Sequence, residues 1–280
     1  MTANAGQIEH WNSDEARHWV DQQDRYDRML APYADQLLAA AAIGTGERVL
    51  DVGCGTGTMT LRAAAAASAG EALGLDISES MIEHARRRAR DDGPTNARFE
   101  VADAQTVALE PGGRDVAISR FGVMFFDDPT AAFTNLGSGI RAEGRLAFVC
   151  WQGLAQNEWM LLPGMAVAEV LPLPDPGPPG APGPFAFSDP DYVRTVLGDA
   201  GFSDVELDPL ANSVLVGGGG SVDDSVEWLQ GTGMARTLFG DAAPDTVARA
   251  VESVRAALAP HEGADGVRLG AAAWLVRARR

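Results

Sequence analysis

The 280-residue chain contains no lysine, and all 22 of its basic residues are arginine. The absence of lysine excludes a lysine Schiff base, a lysine general base and the Gly-Lys-Ser/Thr loop that cradles phosphate in many nucleotide-binding proteins. Acidic residues number 39, which gives a formal net charge of -17. Because a strongly acidic protein repels polyanions, we expect no nucleic-acid partner.

Cysteine and histidine are also scarce. The two cysteines, Cys54 and Cys150, lie too far apart in sequence for a zinc motif and are too few for a disulfide framework. The four histidines form no HExxH pattern and no cluster with carboxylates, so we predict no metal site. No apolar run approaches the roughly 18 residues of a membrane helix, and the polar N-terminus lacks an apolar signal core. These absences predict a cytoplasmic protein with no membrane partner.

Strand and helix patterns alternate through the first half of the chain. The strand patterns fall at 48–53, 71–77, 97–103, 114–122 and 144–152, and the helix patterns at 58–69, 78–92 and 128–140. Such alternation is typical of an α/β fold in which parallel strands are joined by right-handed helical crossovers, forming a doubly wound sheet. Ligands of these sheets bind outside the carboxyl ends of the strands. The polar and glycine-rich strand ends therefore mark the predicted functional edge.

The flanking regions are less regular. Residues 7–42 have the pattern of one or two helices, and further patterns follow the fifth strand. These are an apolar helix at 157–171, a Pro/Gly-rich segment at 172–187, a capped helix at 188–202, a strand at 203–210, two helix patterns within 212–262 and a final strand at 266–280.

The stretch RVLDVGCGTG places glycines at 53, 55 and 57 after a strand that ends in Asp51. Glycine permits a tight turn and the close approach of a ligand, so a nicotinamide cofactor, a phosphate and a sulfonium nucleoside are all candidates. A dinucleotide turn usually has the pattern GxGxxG, but position 58 is threonine. A carboxylate at 51 repels a pyrophosphate and attracts an ammonium group. The turn therefore suits a ligand with a cationic amino-acid end.

Two further acids end the next strands. Asp76 follows the second strand, where a carboxylate can accept hydrogen bonds from ribose hydroxyls, a feature that nicotinamide cofactors and S-adenosylmethionine share. Asp103 follows the third strand, where a carboxylate can accept from the exocyclic amine of adenine. Each acid alone could equally be a helix N-cap. Together with Asp51 they favour an adenosyl ligand with an ammonium tail.

The segments VLDVGCGTG, GLDISESMIEHAR, FEVADAQ, SRFGVMFFDDPTAAFTNL and GRLAFVCWQ resemble a class I S-adenosylmethionine-dependent methyltransferase of the bacterial small-molecule branch, which is related to enzymes of ubiquinone and menaquinone biosynthesis. The final GVRLGAAAWLVRARR also resembles that branch. The resemblance implies a Rossmann-like, seven-stranded, mostly parallel sheet with a final antiparallel strand, an N-terminal helical lid and insertions after strands five and six. It also implies methyl transfer from S-adenosylmethionine, with S-adenosylhomocysteine as the product.

The same resemblance implies roles for individual residues. Asp51, Gly53 and Gly55 would cradle the methionine part of the cofactor, and Cys54 would line the turn. Asp76 would bind the ribose, and Ile77 would pack on the adenine. Asp103 and Ala104 would hold the edge of the adenine. Ser119 and Arg120 would face the methionine end of the cofactor and the acceptor site.

The acceptor is expected to be a small, apolar or aromatic metabolite methylated at O, N or C, in a natural-product pathway. Trp11, Trp19 and Tyr26 on the N-terminal helices, with Trp151 after strand five, are candidates to line its pocket, although the three N-terminal aromatics could equally pack the helix onto the sheet. His18, among these aromatics, is the candidate catalytic base.

The predicted organisation has an N-terminal lid, a cofactor-binding core, a substrate cap and C-terminal strands with a helical insertion, at 1–44, 45–155, 156–202 and 203–280. A homo-oligomer is a further expectation. Three alternatives stay open: an S-adenosylmethionine-binding protein without methyl transfer, a nicotinamide oxidoreductase, and a nucleic-acid methyltransferase. Charge and the stretch SRFG disfavour the last of these.

Overall fold

The computed structural model describes residues 3–173, 178 and 180–280. Its central element is a twisted sheet. The strands are β1 Arg48–Val52, β2 Glu71–Asp76, β3 Ala97–Val101, β4 Arg114–Arg120, β5 Ile140–Trp151, β6 Ser203–Leu215, β7 Glu262–Gly263 and β8 Gly266–Arg279. Seven of them lie side by side in the order β3-β2-β1-β4-β5-β8-β6, and the two-residue β7 pairs with β8.

The first five strands are parallel, and β8 is antiparallel to both β5 and β6. This arrangement confirms the predicted doubly wound sheet with a final antiparallel strand; the short β7 is an addition. The strand order reverses at β1, which lies between β2 and β4. Because crossovers are right-handed, helices from the two halves cover opposite faces, and a crevice opens at the carboxyl ends of β1 and β4.

Helices cover the sheet and its functional edge. In chain order they are α1 Ala5–His10, α2 Asp14–Asp21, α3 Gln23–Ala41, α4 Thr58–Ala66, α5 Glu79–Asp91, α6 Pro129–Gly139, α7 Glu158–Ala168, α8 Pro190–Asp199, α9 Val222–Gln230, α10 Gly233–Phe239 and α11 Pro244–Leu258. Polar caps fix where several of them begin. Ser78 accepts from the backbone N–H of Met81 at the start of α5, and Asp128 accepts from that of Ala131 at the start of α6.

Three regions differ in detail from the sequence-based expectation. The helical pattern at 7–42 is three helices, because Ser13 caps a separate α2 by accepting from the N–H of Glu15. The sixth strand continues to Leu215, since β8 offers it a partner along its whole length. The segment 212–262 holds three helices where two were expected. Of the predicted Pro/Gly-rich segment 172–187, residues 174–177 and 179 lie outside the described residues.

The helices α7, α9, α10 and α11 pack on one another, and we call them the helical cap. They stand above the carboxyl ends of the strands with α1 and α2, which we call the N-terminal lid. The predicted division of the chain into four segments stays a prediction. None of the helices in the described part of the chain is long and apolar enough to cross a membrane.

Asn157 joins the helical cap to the sheet. Its side chain is fully buried, at 0% exposure. Its amide nitrogen donates to the carbonyls of Gln152, Gly153 and Ala272, and its Oδ1 accepts from the Ala272 N–H at 3.0 Å. One side chain therefore ties the end of β5, the start of α7 and the middle of β8 together.

We expect Asn157→Ala to lower the free energy of unfolding by about 2–4 kcal/mol, because it leaves several buried backbone groups without partners. Chemical denaturation followed by circular dichroism measures the change. Gln156→Ala, at the exposed neighbouring amide, is the matched control and should stay within about 0.5 kcal/mol of the wild type. Equal effects of the two substitutions would contradict the anchoring role.

Candidate functional site

A cavity of about 470 Å³ lies at the carboxyl ends of β1 to β4, beneath the N-terminal lid and the helical cap. Its volume is in the range of small-ligand sites. The lining is mostly apolar and aromatic, with a few polar groups at the strand ends. Seven of the ten predicted cofactor-binding residues line it: Gly53, Gly55, Asp76, Ile77, Asp103, Ala104 and Arg120.

The glycine turn after β1 forms the floor of the cavity, and its glycines serve different purposes. Gly53 has φ 65°, and a Cβ there would stand 2.8 Å from the Cα of Gly122, so it is required by the close approach of two backbones. Gly55 has φ 52°, and its Cβ would meet only the Met81 sulfur at 3.7 Å. A Cβ at Gly57 would collide with Ala85 and Phe99. Gly55 is thus the position where the turn stays open to a ligand.

Three of the ten predicted cofactor-binding residues, Asp51, Cys54 and Ser119, do not line the cavity and lie behind its lining. The Ser119 hydroxyl is buried, donates to the Val52 carbonyl at 2.7 Å and accepts from the Gly122 N–H. Cys54 is buried beneath the turn, close to Gly74, and burial raises the pKa of its thiol. Cys54 and Ser119 therefore support the turn without facing the cavity. Asp51 is the third residue behind the lining.

Asp51 is 1% exposed and accepts a hydrogen bond from the Thr60 hydroxyl at 2.6 Å. Its other oxygen, Oδ1, is buried and has no hydrogen-bond partner among the described residues. Burial raises the pKa of Asp51 to about 6, although the Thr60 hydrogen bond and the charge of Arg120 act in the opposite direction. A cation arriving near this carboxylate would therefore stabilise its ionised form.

Asp76 and Asp103 face the cavity from the ends of β2 and β3. The Asp76 carboxylate accepts from the N–H groups of Gly55 and Ser78 at 2.8 and 2.9 Å, and burial raises its pKa. Asp103 Oδ1 accepts from the Asn4 side-chain amide at 2.8 Å and from the Gln105 N–H at 2.9 Å. The strand-end acids are thus held in fixed orientations by backbone and amide donors.

Arg120 brings positive charge to the end of β4. Its Nη2 lies 3.4 Å from the carboxylate of Asp27 on α3, which also accepts from Thr58, Gln23 and Arg88. Its Nη1 is buried and has no hydrogen-bond partner among the described residues. A buried guanidinium donor without a partner indicates a missing acceptor, and a carboxylate is the acceptor that arginine binds best.

Two groups of aromatic rings contribute to the lining. We call the first the lid aromatics; it contains Trp11, Trp19, Tyr26 and Trp228. Trp19 and Tyr26 stack with centroids 3.6 Å apart and planes 6° apart, and Trp228 packs edge-on to Tyr26 at 5.1 Å. Trp11, Trp19 and Tyr26 were predicted, and all three line the cavity; Trp228 on α9 was not predicted.

The second group, the strand-end aromatics, contains Phe121, Trp151 and Trp159. Phe121 and Trp151 stack at 3.9 Å with planes 15° apart, and Trp159 lies 5.4 Å from Trp151. Phe121 adopts φ 63°, a left-handed conformation that is strained for an aromatic residue. Trp151 was predicted for this lining; Phe121 was not, although its place directly after Arg120 at a strand end was a usable signal.

His18, the candidate base, does not line the cavity. Its ring packs edge-on to Tyr26 at 5.9 Å and lies 6.2 Å from Trp228, on the far side of the lid aromatics. Burial lowers the pKa of His18. In this position the imidazole supports the aromatic wall and does not reach a ligand in the cavity.

Glu15 and Asn4 are cavity residues that the sequence did not single out. The buried Glu15 carboxylate on α2 accepts from the Trp19 indole N–H at 3.0 Å and pairs with Arg236 on α10 at 2.5 Å. This ion pair joins the N-terminal lid to the helical cap above the cavity. No group of three or more metal-ligating side chains is present in the described ranges.

Comparison with known proteins gives one family match and several relatives. Residues 49–144 match the family described as "Methyltransferase domain". Aklanonic acid methyltransferase from Streptomyces sp. (strain C5) is 34% identical over 128 residues, which is 44% of this chain and 58% of the relative. The chain thus spans little more than half the length of this relative. Trans-aconitate 2-methyltransferase from Variovorax paradoxus (strain S110) is 26% identical over 239 residues, 80% of each chain.

Among solved structures, geranyl diphosphate C-methyltransferase from Streptomyces coelicolor A3(2), in complex with Mg²⁺, geranyl diphosphate and S-adenosyl-L-homocysteine, superposes with a TM-score of 0.50. It is 16% identical, and the alignment covers 90% of this chain and 80% of that chain. At this identity the likeness is one of fold.

The two cavity glycines allow a direct test of the turn. Gly55→Ala should lower the free energy of unfolding by about 1 kcal/mol, the cost of a left-handed alanine with room for its methyl group. Gly53→Ala should cost at least about 3 kcal/mol, because the methyl group also collides with Gly122. Urea unfolding of the two variants measures both values, and a Gly55 variant as damaged as the Gly53 variant would refute the assigned difference.

Proposed function

We propose that the whole chain is a class I S-adenosylmethionine-dependent methyltransferase that methylates a small, apolar or aromatic metabolite, and the premise is the match of residues 49–144 to the methyltransferase domain family. The observation that carries the proposal is one cavity that joins the strand-end acids to two aromatic walls. The first set suits an adenosyl amino acid, and the second suits a flat, apolar acceptor. The two named relatives act on aklanonic acid and trans-aconitate, which supports a small organic acceptor.

The residues of the cavity fit S-adenosylmethionine. Asp76 would accept from the ribose hydroxyls. Asp103 Oδ2, which among the described residues accepts only from Thr106 at 3.3 Å, would accept from the adenine amine. The unpartnered Arg120 Nη1 would donate to the methionine carboxylate. Asp51 would stabilise the ammonium group from behind the glycine turn, since its Oδ1 is also unpartnered.

When bound, S-adenosylmethionine supplies a sulfonium methyl group, which a nucleophilic acceptor atom takes by in-line displacement as the carbon–sulfur bond breaks. The protein's contribution is to place the acceptor and to exclude water. The stacked pairs Tyr26–Trp19 and Phe121–Trp151 would offer aromatic faces to a planar acceptor. Their electron-rich faces also favour a cation.

The first experiment is calorimetric titration with S-adenosylmethionine, S-adenosylhomocysteine and NADH. We expect the first two to bind and Asp76→Ala to weaken both at least tenfold, because a charged acceptor of hydrogen bonds is lost. Asp91→Ala, which removes an exposed acid at the end of α5, is the matched control and should bind as the wild type does. Binding of NADH alone would overturn the proposal.

Transfer is then measured with S-adenosylmethionine labelled in its methyl group and a panel of aromatic and aliphatic acceptors. Label appearing in an acceptor supports the proposed reaction. If the cofactor binds and no acceptor in a broad panel is labelled, the result favours the alternative of a binding protein of the same fold. Because Arg120 Nη1 has no partner among the described residues, we expect Arg120→Ala to weaken cofactor binding as well as transfer.

The pKa of Asp51 predicts how cofactor affinity depends on pH. A nearby ammonium group lowers that pKa from about 6, so at lower pH the bound state requires loss of a proton that the free protein holds. The dissociation constant of S-adenosylhomocysteine should therefore rise about tenfold between pH 7 and pH 5. In Asp51→Asn the dissociation constant should rise less over the same pH range, and the remaining rise should come from protonation of Asp76, whose pKa burial also raises. If the pH dependence of the dissociation constant in this variant equals that of the wild type, Asp51 is not the group whose protonation weakens binding.

A further inference from the structure

Asn4 is a buried polar residue for which the proposed reaction gives no role. It is 2% exposed, precedes α1 and lines the cavity. Its φ of 52° lies in the left-handed region, which asparagine tolerates better than other residues with side chains. Its side chain makes no capping hydrogen bond to α1. The amide is directed instead to the strand ends of the sheet.

Both ends of the Asn4 amide are engaged there. The Nδ2 group donates to Asp103 Oδ1 at 2.8 Å, and Oδ1 accepts from the backbone N–H of Asp127 at 2.7 Å. One side chain therefore links the loop after β3 to the loop before α6. These loops flank the end of the cavity to which we assign the adenine.

The contact with Asn4 determines which oxygen of Asp103 is free to accept a hydrogen bond. Its Oδ1 is occupied by Asn4 and by the Gln105 N–H, whereas within the described part of the chain its Oδ2 has only the long hydrogen bond from Thr106. With Oδ1 fixed, Oδ2 is the oxygen left to accept from a ligand. Resting on the proposed function, we propose that Asn4 is a positioning residue for the cofactor: it orients the Asp103 carboxylate toward the adenine amine and closes that end of the cavity.

A second asparagine of the same segment supports this assignment. Asn12 donates to the Ile77 carbonyl at 3.0 Å, and its Oδ1 accepts from the Glu79 N–H at 3.0 Å. The segment from Asn4 to Asn12 is thus attached at the end of β3 and at the end of β2. Unlike Asn4, Asn12 is exposed and contacts backbone groups instead of a strand-end acid. It therefore offers a control within the same segment.

The test compares Asn4→Gly, Asn4→Asp and Asn12→Asp with the wild type by titration with S-adenosylhomocysteine at pH 8 and pH 5.5. Glycine keeps the left-handed backbone and removes the amide, and we expect about tenfold weaker binding at both pH values. Aspartate at position 4 keeps the acceptor for the Asp127 N–H and places a second carboxylate against Asp103. Binding should therefore weaken strongly at pH 8.

At pH 5.5 the pair of carboxyl groups in Asn4→Asp can share one proton, which restores the hydrogen bond. The ratio of the variant's dissociation constant to that of the wild type should then fall at least threefold relative to pH 8. The other carboxylates and imidazoles that line the cavity are those of Glu15, Asp76 and His10, and Asp127 adjoins the Asn4 contact. They are the same in all variants, so the ratio isolates the new pair. Asn12→Asp should show a ratio that does not change with pH.

The outcomes separate this inference from the proposed function. A wild-type protein that does not bind S-adenosylhomocysteine overturns the proposed function. A wild type that binds, with Asn4→Gly equally tight or with a pH-independent ratio for Asn4→Asp, overturns the role of Asn4 alone. Thermal unfolding of each variant identifies loss of the fold, and a variant that binds weakly with an unchanged melting temperature supports the positioning role.

Discussion

The backbone contact between Gly53 and Gly122 is the constraint on which the site depends. These residues follow β1 and β4, the strands between which the order of the sheet reverses, and a Cβ at either would come within 2.8 Å of the other's Cα. The Ser119 hydroxyl fixes the approach by bonding to the Val52 carbonyl and the Gly122 N–H. With the two loops held together at their base, Gly55 on one and Phe121 on the other diverge into the walls of the cavity.

Charge in the site is arranged around this contact. Arg120 lies next to Phe121 and close to the carboxylates of the partly buried Asp27 and the buried Asp51, so a cationic group is placed among anions. Such groups are stable when each has a partner. Among the buried atoms without a partner in the described residues are Nη1 of Arg120 and Oδ1 of Asp51, one donor and one acceptor. A zwitterionic amino-acid end has the complementary pair of charges.

The sequence was sufficient to predict the sheet, its antiparallel last strand and the strand-end acids, because each of them produces a local periodicity or a short motif. The sequence was not sufficient to predict the side of the sheet to which the side chain of a strand-end residue points. Ser119 and Arg120 are neighbours, and since side chains alternate along a strand, one is buried beneath the turn and the other lines the cavity. Asp51 and Asp76 differ because of their positions along the strands: Asp51 lies beside Gly74, before the end of β1, whereas Asp76 is the last residue of β2.

The residues of the upper half of the cavity could not be predicted from the sequence for a different reason. Trp228, the Glu15–Arg236 pair and the contact of Asn4 with Asp103 join residues far apart in sequence, and 221 positions separate the ion pair. The periodicity of apolar residues in the sequence does not indicate contacts between such distant positions. His18 stands among aromatic residues in the sequence as it does in the structure, yet only the folded chain shows that these rings lie between it and the cavity.

The position of β8 between β5 and β6 has a consequence for assembly during translation. β8 follows the other described strands in the chain and yet lies in the interior of the sheet, and β6 pairs with no other strand in the described residues. As long as β8 is inside the ribosome, β5 has a free edge, and β6 has no place in the sheet. Ala272, to which Asn157 attaches the helical cap, also lies on β8. The parallel half of the sheet can therefore form early in synthesis, whereas the helical cap can dock over the cavity only after β8 has emerged from the ribosome.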